Sequence, residues 1–95
     1  MLGLAQRAGK VTSGFDLVTK ALINHKAYII VLASDLSENQ RRKIENIADD
    51  VLIIDSLSSE TISKSIGKQR SIIAINDKSF ANQIIKLSEE DSVNG

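Results

Sequence analysis

Tyr28-Ile29-Ile30-Val31-Leu32-Ala33 is a stretch of six apolar residues without a break, and it decides the fold of this 95-residue chain. Two shorter stretches at residues 51–54 and 72–75 have the same character. All three are rich in β-branched residues and do not alternate with polar ones, so each predicts a strand buried on both faces. Such strands require a sheet that is covered by helices on each side.

The segments between these strands have the three-to-four-residue spacing of amphipathic helices. Leu17, Val18, Ala21 and Leu22 form one apolar stripe, and residues 80–88 carry another. These stripes predict that each helix packs one face against the sheet.

Polar residues and glycines mark where the helices begin and end. Ser37, Ser58 and Asp77 stand where a side-chain oxygen can cap a helix start. Gly9 and Gly67 stand where a helix can end in the left-handed conformation. These signals divide the chain cleanly into short elements.

The elements alternate in the order α, short β near residues 11–13, α, β, α, β, α, β, α. This alternation predicts an α/β fold, a three-layer α/β/α sandwich around a central four-stranded mixed sheet in which most pairs are parallel. We assign residues 1–88 to a single domain and residues 89–95 to an acidic, disordered tail.

The composition excludes several classes of function. The chain has no cysteine, one histidine, no tryptophan and three other aromatic residues. It therefore cannot form a disulfide scaffold, a thiolate or histidine-rich metal site, or a large aromatic platform for single-stranded nucleic acid. We expect no cofactor, no metal and no small-molecule substrate.

The net charge of zero is unevenly distributed. Residues 1–48 carry seven basic and four acidic side chains, whereas residues 49–95 carry five basic and eight acidic ones. The first half is thus suited to a polyanionic partner. No apolar stretch approaches the roughly 20 residues that span a bilayer, and Met1-Leu2-Gly3-Leu4 lacks the features of a signal peptide. We expect a cytoplasmic monomer that does not contact membranes.

Thr12-Ser13-Gly14-Phe15-Asp16-Leu17-Val18-Thr19-Lys20 is the segment most suggestive of a binding site. A glycine between a strand and a helix lets a ligand approach the backbone, and the free amides of the helix start favour an anion such as phosphate. Lys20 could reach the same ligand. The same pattern also fits a plain helix start, in which Gly14 makes the bend and Lys20 is solvated.

Several segments together resemble the ribosomal L7Ae/L30e family of kink-turn RNA-binding proteins. The resemblance covers residues 2–87. The segments that carry it are Leu2-Gly3-Leu4-Ala5-Gln6-Arg7-Ala8-Gly9-Lys10, Ser13-Gly14, Val18-Thr19-Lys20-Ala21-Leu22, Val31-Leu32-Ala33-Ser34-Asp35, Ile66-Gly67-Lys68-Gln69-Arg70 and Ile75-Asn76-Asp77-Lys78-Ser79-Phe80-Ala81.

The resemblance implies a non-catalytic RNA-binding protein whose first RNA-facing element is the start of the second helix. Family members that bind kink-turns carry Gly-x-Asn-Glu-x-Thr-Lys there, and Gly14, Thr19 and Lys20 match this pattern. Asp16 and Leu17 replace the asparagine and glutamate that contact tandem G·A pairs. Aspartate cannot donate a hydrogen bond and leucine can neither donate nor accept one, so kink-turn recognition is weakened.

The second RNA-facing element implied by the resemblance is the loop before the fourth helix, Leu57-Ser58-Ser59-Glu60-Thr61-Ile62-Ser63-Lys64. Ile62 and Ser63 stand where the family often has Leu-Gly, which holds a flipped-out nucleotide, and Lys64 follows them. Ser34 and Asp35 are expected at the same end of the sheet.

Three functions remain open from the sequence. The first is binding of structured RNA, either ribosomal or ribosome-associated. The second is an α/β protein–protein or ligand-binding module that has lost kink-turn recognition, which Asp16 and Leu17 would explain. The third, an enzyme acting on a small anion at the Gly14 helix start, is the weakest because no general base or nucleophile is identifiable.

Overall fold

The computed structural model describes the backbone of residues 2–94 and the side chains of residues 2–86. Its nine elements follow the order that the sequence predicts. They are α1 (Leu2–Arg7), β1 (Val11–Ser13), α2 (Phe15–Ile23), β2 (Ile29–Leu32), α3 (Glu38–Ala48), β3 (Leu52–Ile54), α4 (Ser59–Ile66), β4 (Ile72–Ile75) and α5 (Lys78–Asn94).

The four strands form one mixed sheet in the order β1-β4-β2-β3. The mixed sheet is confirmed, but the expectation of mostly parallel pairs is wrong. Only β2 and β3 are parallel, whereas β4 lies between β1 and β2 and runs antiparallel to both. Alternation of helices and strands fixes neither the position nor the direction of the last strand, and here that strand enters the centre of the sheet.

The direction of β4 determines which loops meet. Because β4 runs opposite to the other strands, its first residue lies at the same end of the sheet as the last residues of β1, β2 and β3. We call this the Gly14 end, after the glycine that follows β1, and the opposite end the Asn76 end, after the residue that follows β4.

The core has two halves, one on each face of the sheet, which confirms the three-layer sandwich. Ile29 and Val31 of β2 pack on the side of α1, α4 and α5, and Ile30 and Leu32 pack on the side of α2 and α3. β2 and β4 are fully buried, as their sequences predict. β3 is an edge strand, so its Leu52 remains about half exposed.

The caps lie where the sequence predicts them. Ser37, Ser58 and Asp77 each accept a hydrogen bond from the backbone N–H three residues further on, at 3.4, 3.2 and 3.0 Å. Gly9 and Gly67 have positive φ angles of 72° and 80°. The starts of α3, α4 and α5 and the ends of α1 and α4 therefore have local causes that can be read from the sequence.

The C-terminal helix α5 reaches Asn94. The tail that we expect at residues 89–95 lies outside the described side chains, so its separation from the domain stays a prediction. No helix of the described chain combines the length and the apolar composition needed to cross a membrane.

Candidate functional site

Gly14 connects β1 to α2 with a backbone conformation that requires glycine. Its φ of 94° and ψ of 152° lie where residues with a Cβ are strained. Its N–H donates to the carbonyl of Ile72 at 2.9 Å, and its carbonyl accepts from Val18 at 3.0 Å. As a glycine it offers no side-chain cap to α2, so the first amides of that helix are available to a ligand.

The first two turns of α2 present three of the predicted site residues to solvent. Asp16, Leu17 and Lys20 are all exposed, and Leu17 is 59% exposed. The prediction that Leu17 belongs to the buried apolar stripe is therefore wrong, since only the other three members of the stripe are buried. The Thr19 hydroxyl donates to the carbonyl of Asp16 at 2.8 Å and is thus engaged within the helix.

Ser34 and Asp35 lie at the Gly14 end, directly after β2. The backbone N–H of Ser34 donates to the carbonyl of Leu57 at 2.8 Å. The Asp35 carboxylate accepts from the Ser59 backbone N–H at 2.8 Å and from the Ser59 hydroxyl at 2.6 Å. Asp35 therefore holds the first residue of α4 in place.

These hydrogen bonds lower the pKa of Asp35 below its ordinary value, chiefly through the Ser59 hydroxyl and then through the Ser59 backbone N–H. An aspartate whose pKa is lowered by folding stabilises the protein above its unfolded pKa of about 3.9, and this contribution is lost as the pH falls through the folded pKa. We therefore expect Asp35→Asn to unfold at lower urea concentration than the unmodified protein at pH 7. The difference should shrink at pH 3 and vanish at lower pH. A difference that is constant with pH would contradict this role.

Residues 57–64 do not form the loop that the resemblance implies. α4 begins at Ser59, so most of this segment is helical. Ile62 is 0% exposed and lies in the core with α1 and α5. Its side chain cannot hold a nucleotide, because the apolar stripe of α4 turns it toward the sheet, and we remove it from the candidate site.

Ser63 and Lys64 remain near the Gly14 end. The Ser63 hydroxyl donates to the carbonyl of Arg70 at 3.1 Å and accepts from the Arg70 N–H at 3.0 Å. Ser63 thus attaches α4 to the segment before β4. Lys64 is exposed, and its Nζ lies 3.1 Å from Oε1 of Glu60. Both side chains of this pair are solvated, so the Lys64 ammonium group remains accessible.

A groove of about 510 Å³ lies between α4 and residues 67–71. Two lysines, Lys64 and Lys68, line it, with Glu60 as the one carboxylate among its lining residues. The full lining is Ser59, Glu60, Ser63, Lys64, Gly67, Lys68, Gln69 and Ser71.

Arg70 connects this groove to the start of α2. Its Nε lies 3.9 Å from the position that a Cβ on Gly14 would occupy. The neighbouring Ser71 accepts a hydrogen bond from the N–H of Ala33 at 2.8 Å, which brings the end of β2 to the same place. Uncapped amides, a guanidinium group and three ammonium groups therefore share one surface, which we call the Gly14 surface. Its residues are Gly14, Asp16, Leu17, Lys20, Lys64, Lys68 and Arg70.

The contribution of residues 67–71 to this surface was not predicted from the sequence. The signal was present in the basic segment Gly67-Lys68-Gln69-Arg70, but only the antiparallel direction of β4 brings it beside Gly14. A parallel β4, as expected from the alternation, would have put this segment at the opposite end.

The other basic cluster, on α3, is largely neutralised by acids. Arg41 pairs with Asp55 and with Glu45, and these hydrogen bonds, chiefly the one to Asp55, raise the pKa of Arg41 above its ordinary value. Arg42 lies 3.4 Å from Glu38. Arg41 thus links α3 to the residue after β3, whereas the pair of Arg42 lies within α3. Both cations are less suited to an external anion.

The chain belongs to the Ribosomal protein L7Ae/L30e/S12e/Gadd45 family, whose sequence model matches residues 1–85. It is 39% identical to a protein of Bacillus subtilis (strain 168) named RNA-binding protein YlxQ, over 92% of this chain and 90% of that protein. A protein of the same name from Enterococcus faecium is 35% identical, over 94% and 88% of the two chains.

Solved structures agree with the fold. A protein with unknown function from Bacillus halodurans C superposes with a TM-score of 0.89 at 25% identity, covering 93% of this chain and 92% of that one. The Giardia lamblia 15.5kD RNA binding protein superposes with a TM-score of 0.76 at 11% identity, covering 94% and 79%. At that identity the second likeness bears on the fold alone.

Proposed function

We propose that this protein binds structured RNA, without catalysis, through the Gly14 surface. The observation that carries the proposal is the meeting of the uncapped start of α2 with Arg70 and the lysine-lined groove. Family membership and the names of the two bacterial relatives support it.

The chemistry of the Gly14 surface suits a folded RNA backbone. Free amides at a helix start bind phosphate, and guanidinium groups form paired hydrogen bonds to phosphate or to base edges. Lys64 and Lys68 supply point charges along the groove, where counterion release from RNA would contribute to affinity. A glycine at position 14 also lets the RNA approach the main chain closely.

We propose further that the RNA contains a kink-turn or a related motif that this protein reads less strongly than typical binders of the family do. Asp16 and Leu17 are both exposed on the Gly14 surface, so they occupy reading positions but lack the donor and acceptor of the Asn-Glu pair. We also propose a monomer in the cytoplasm that associates with ribosomal RNA. Crosslinking in cells, followed by sequencing of the attached RNA, would identify the target.

The exposed Leu17 favours a second candidate, a protein–protein or ligand-binding module that uses the same surface. An apolar side chain that is 59% exposed on a binding surface is better suited to an apolar partner than to a phosphate backbone. Salt dependence separates the two candidates, because RNA binding weakens steeply with salt and apolar docking does not.

The groove lysines provide the direct test of RNA binding. We expect Lys64→Ala/Lys68→Ala to reduce the slope of log affinity against log salt concentration by about two, since each lysine neutralises about one phosphate. The measurement is a titration of a structured RNA at several salt concentrations.

The matched control is Lys43→Ala/Lys86→Ala, which removes the same charge from exposed positions on α3 and α5. It should leave the slope nearly unchanged. Equal slopes for the two double variants would mean that binding depends on net charge rather than on the groove, and an absence of binding by the unmodified protein would contradict the proposed function itself.

A further inference from the structure

A second pocket of about 350 Å³ lies at the Asn76 end of the sheet, away from the Gly14 surface. It lies between the end of α2, β1 and the residue after β4, and its volume falls in the range of small-ligand sites. The lining residues are Thr12, Ala21, His25, Lys26, Tyr28 and Asn76. Five of the six carry polar groups and none is acidic, so the pocket favours a polar, anionic ligand.

Asn76 lines this pocket and is hydrogen-bonded to β1. Its amide nitrogen donates to the Thr12 hydroxyl at 2.6 Å, but its Oδ1 is buried and has no hydrogen-bond partner. Because Oδ1 has almost no accessible surface, a ligand in the pocket would not contact it. Asn76 therefore contributes to the site by fixing the Thr12 hydroxyl beside the pocket.

Tyr28 supplies a flat aromatic surface in the same pocket. The residue is 52% exposed although it directly precedes the fully buried strand β2. Its backbone N–H donates to the carbonyl of Ile75 at 2.8 Å, which fixes the backbone while the side chain remains accessible. Aromatic side chains held in this way stack with nucleobases of any sequence.

A lysine and an imidazole complete the pocket. Lys26 and His25 line it, and the carbonyl of Lys10 accepts from the Asn76 N–H at 2.8 Å, so Lys10 lies on the adjoining strand end. The nearest acid along the chain, Asp77, is occupied in capping α5. A phosphate attached to a stacked base would therefore meet positive charge.

We propose that this pocket binds a nucleotide, with the base on Tyr28 and the phosphate on Lys26 and His25. Ser71 lines the first groove and Asn76 lines this pocket, five residues apart along β4 and thus separated by about 17 Å. One nucleotide cannot contact both. The inference goes beyond the proposed function, because it holds whether or not RNA binds the Gly14 surface.

Two residues make the test specific. Tyr28 is the only tyrosine and the chain has no tryptophan, so intrinsic fluorescence reports this pocket alone. His25 is the only histidine, so its imidazole proton signals provide a second local probe. We expect saturable quenching of Tyr28 and shifts of the His25 signals on titration with AMP, with N-acetyltyrosinamide correcting for absorption by the nucleotide.

A second titration, with a six-residue oligoadenylate, shows whether the pocket binds an RNA strand or a free nucleotide. Tighter binding of the oligomer by tenfold or more assigns the pocket to an RNA strand, whereas equal or weaker binding assigns it to a free nucleotide. Inorganic phosphate alone should produce little quenching, because it cannot stack.

The variants then assign the contacts. Tyr28→Ala should weaken AMP binding at least fivefold, and the His25 proton signals measure this affinity because the variant lacks the tyrosine fluorophore. Tyr28→Phe should bind AMP about as well as the unmodified protein, because phenylalanine also stacks. Lys68→Ala, on the Gly14 surface, should leave AMP binding unchanged. If AMP shifts neither probe, or if Tyr28→Ala binds as the unmodified protein does, the proposal is overturned, while RNA binding at the Gly14 surface is judged separately by the groove-lysine variants.

Discussion

Replacing Asp16 by asparagine and Leu17 by glutamate is expected to raise the affinity for a kink-turn RNA at least tenfold. The double change restores the Gly-x-Asn-Glu-x-Thr-Lys pattern of the kink-turn binders that this helix start resembles. Asparagine and glutamate would then hydrogen-bond to the G·A edges, and good base contacts contribute about 1–3 kcal/mol each. Since Leu17 is 59% exposed, glutamate can be accommodated without burying a charge.

The design leaves the net charge unchanged, because one acid is removed and one is added. Any gain in affinity therefore comes from specific contacts and not from weaker repulsion of the RNA. Both proteins should be titrated at one salt concentration against a kink-turn and against a straight duplex. An equal gain on the two RNAs would contradict base reading, and no gain on the kink-turn would favour the module that has lost RNA recognition.

Ile62→Ala is expected to lower the free energy of unfolding by about 2–5 kcal/mol, the usual cost of truncating a buried isoleucine. Small domains have only about 5–15 kcal/mol in total, so this loss is large. Ile62 is 0% exposed and packs in the core half formed with α1 and α5. RNA affinity per folded molecule should change less than twofold, because the side chain does not reach the Gly14 surface.

Urea unfolding measures the first effect and RNA titration well below the unfolding midpoint measures the second. Ile62→Val should cost only about 0.5–1.5 kcal/mol, and Leu17→Ala, at an exposed position, should stay within about 0.5 kcal/mol. If Ile62→Ala instead reduced RNA affinity strongly while stability held, the side chain would be a nucleotide contact after all.

Local features of the fold could be read from the sequence, because their causes are local. The burial of β2 and β4 follows from unbroken β-branched runs, and the caps at Ser37, Ser58 and Asp77 follow from a side-chain oxygen at the right spacing. The exposure of Leu17 could not be read in this way. An apolar residue at the edge of a buried stripe can be either buried or exposed. Which of the two occurs depends on how the helix packs against the sheet.

The candidate site was only half predictable for a different reason. The α2 start was found because glycine, helix start and lysine are neighbours in the chain. Lys68 and Arg70 join Gly14 only through the antiparallel pairing of β4 with β1, which no periodicity encodes. Ile62 was misplaced because the resemblance assigned it to a loop, whereas the apolar spacing of α4 already favoured burial.

The central position of β4 also determines when the sheet can close during synthesis. β1 forms strand hydrogen bonds only with β4, and the β2–β3 pair meets β1 only through β4. A nascent chain that ends after α4 therefore holds its strands as two separate pieces, with no backbone ladder between them. The ribosome delivers the connecting strand last of the four, so this sheet is completed in one late step rather than assembled strand by strand as it emerges.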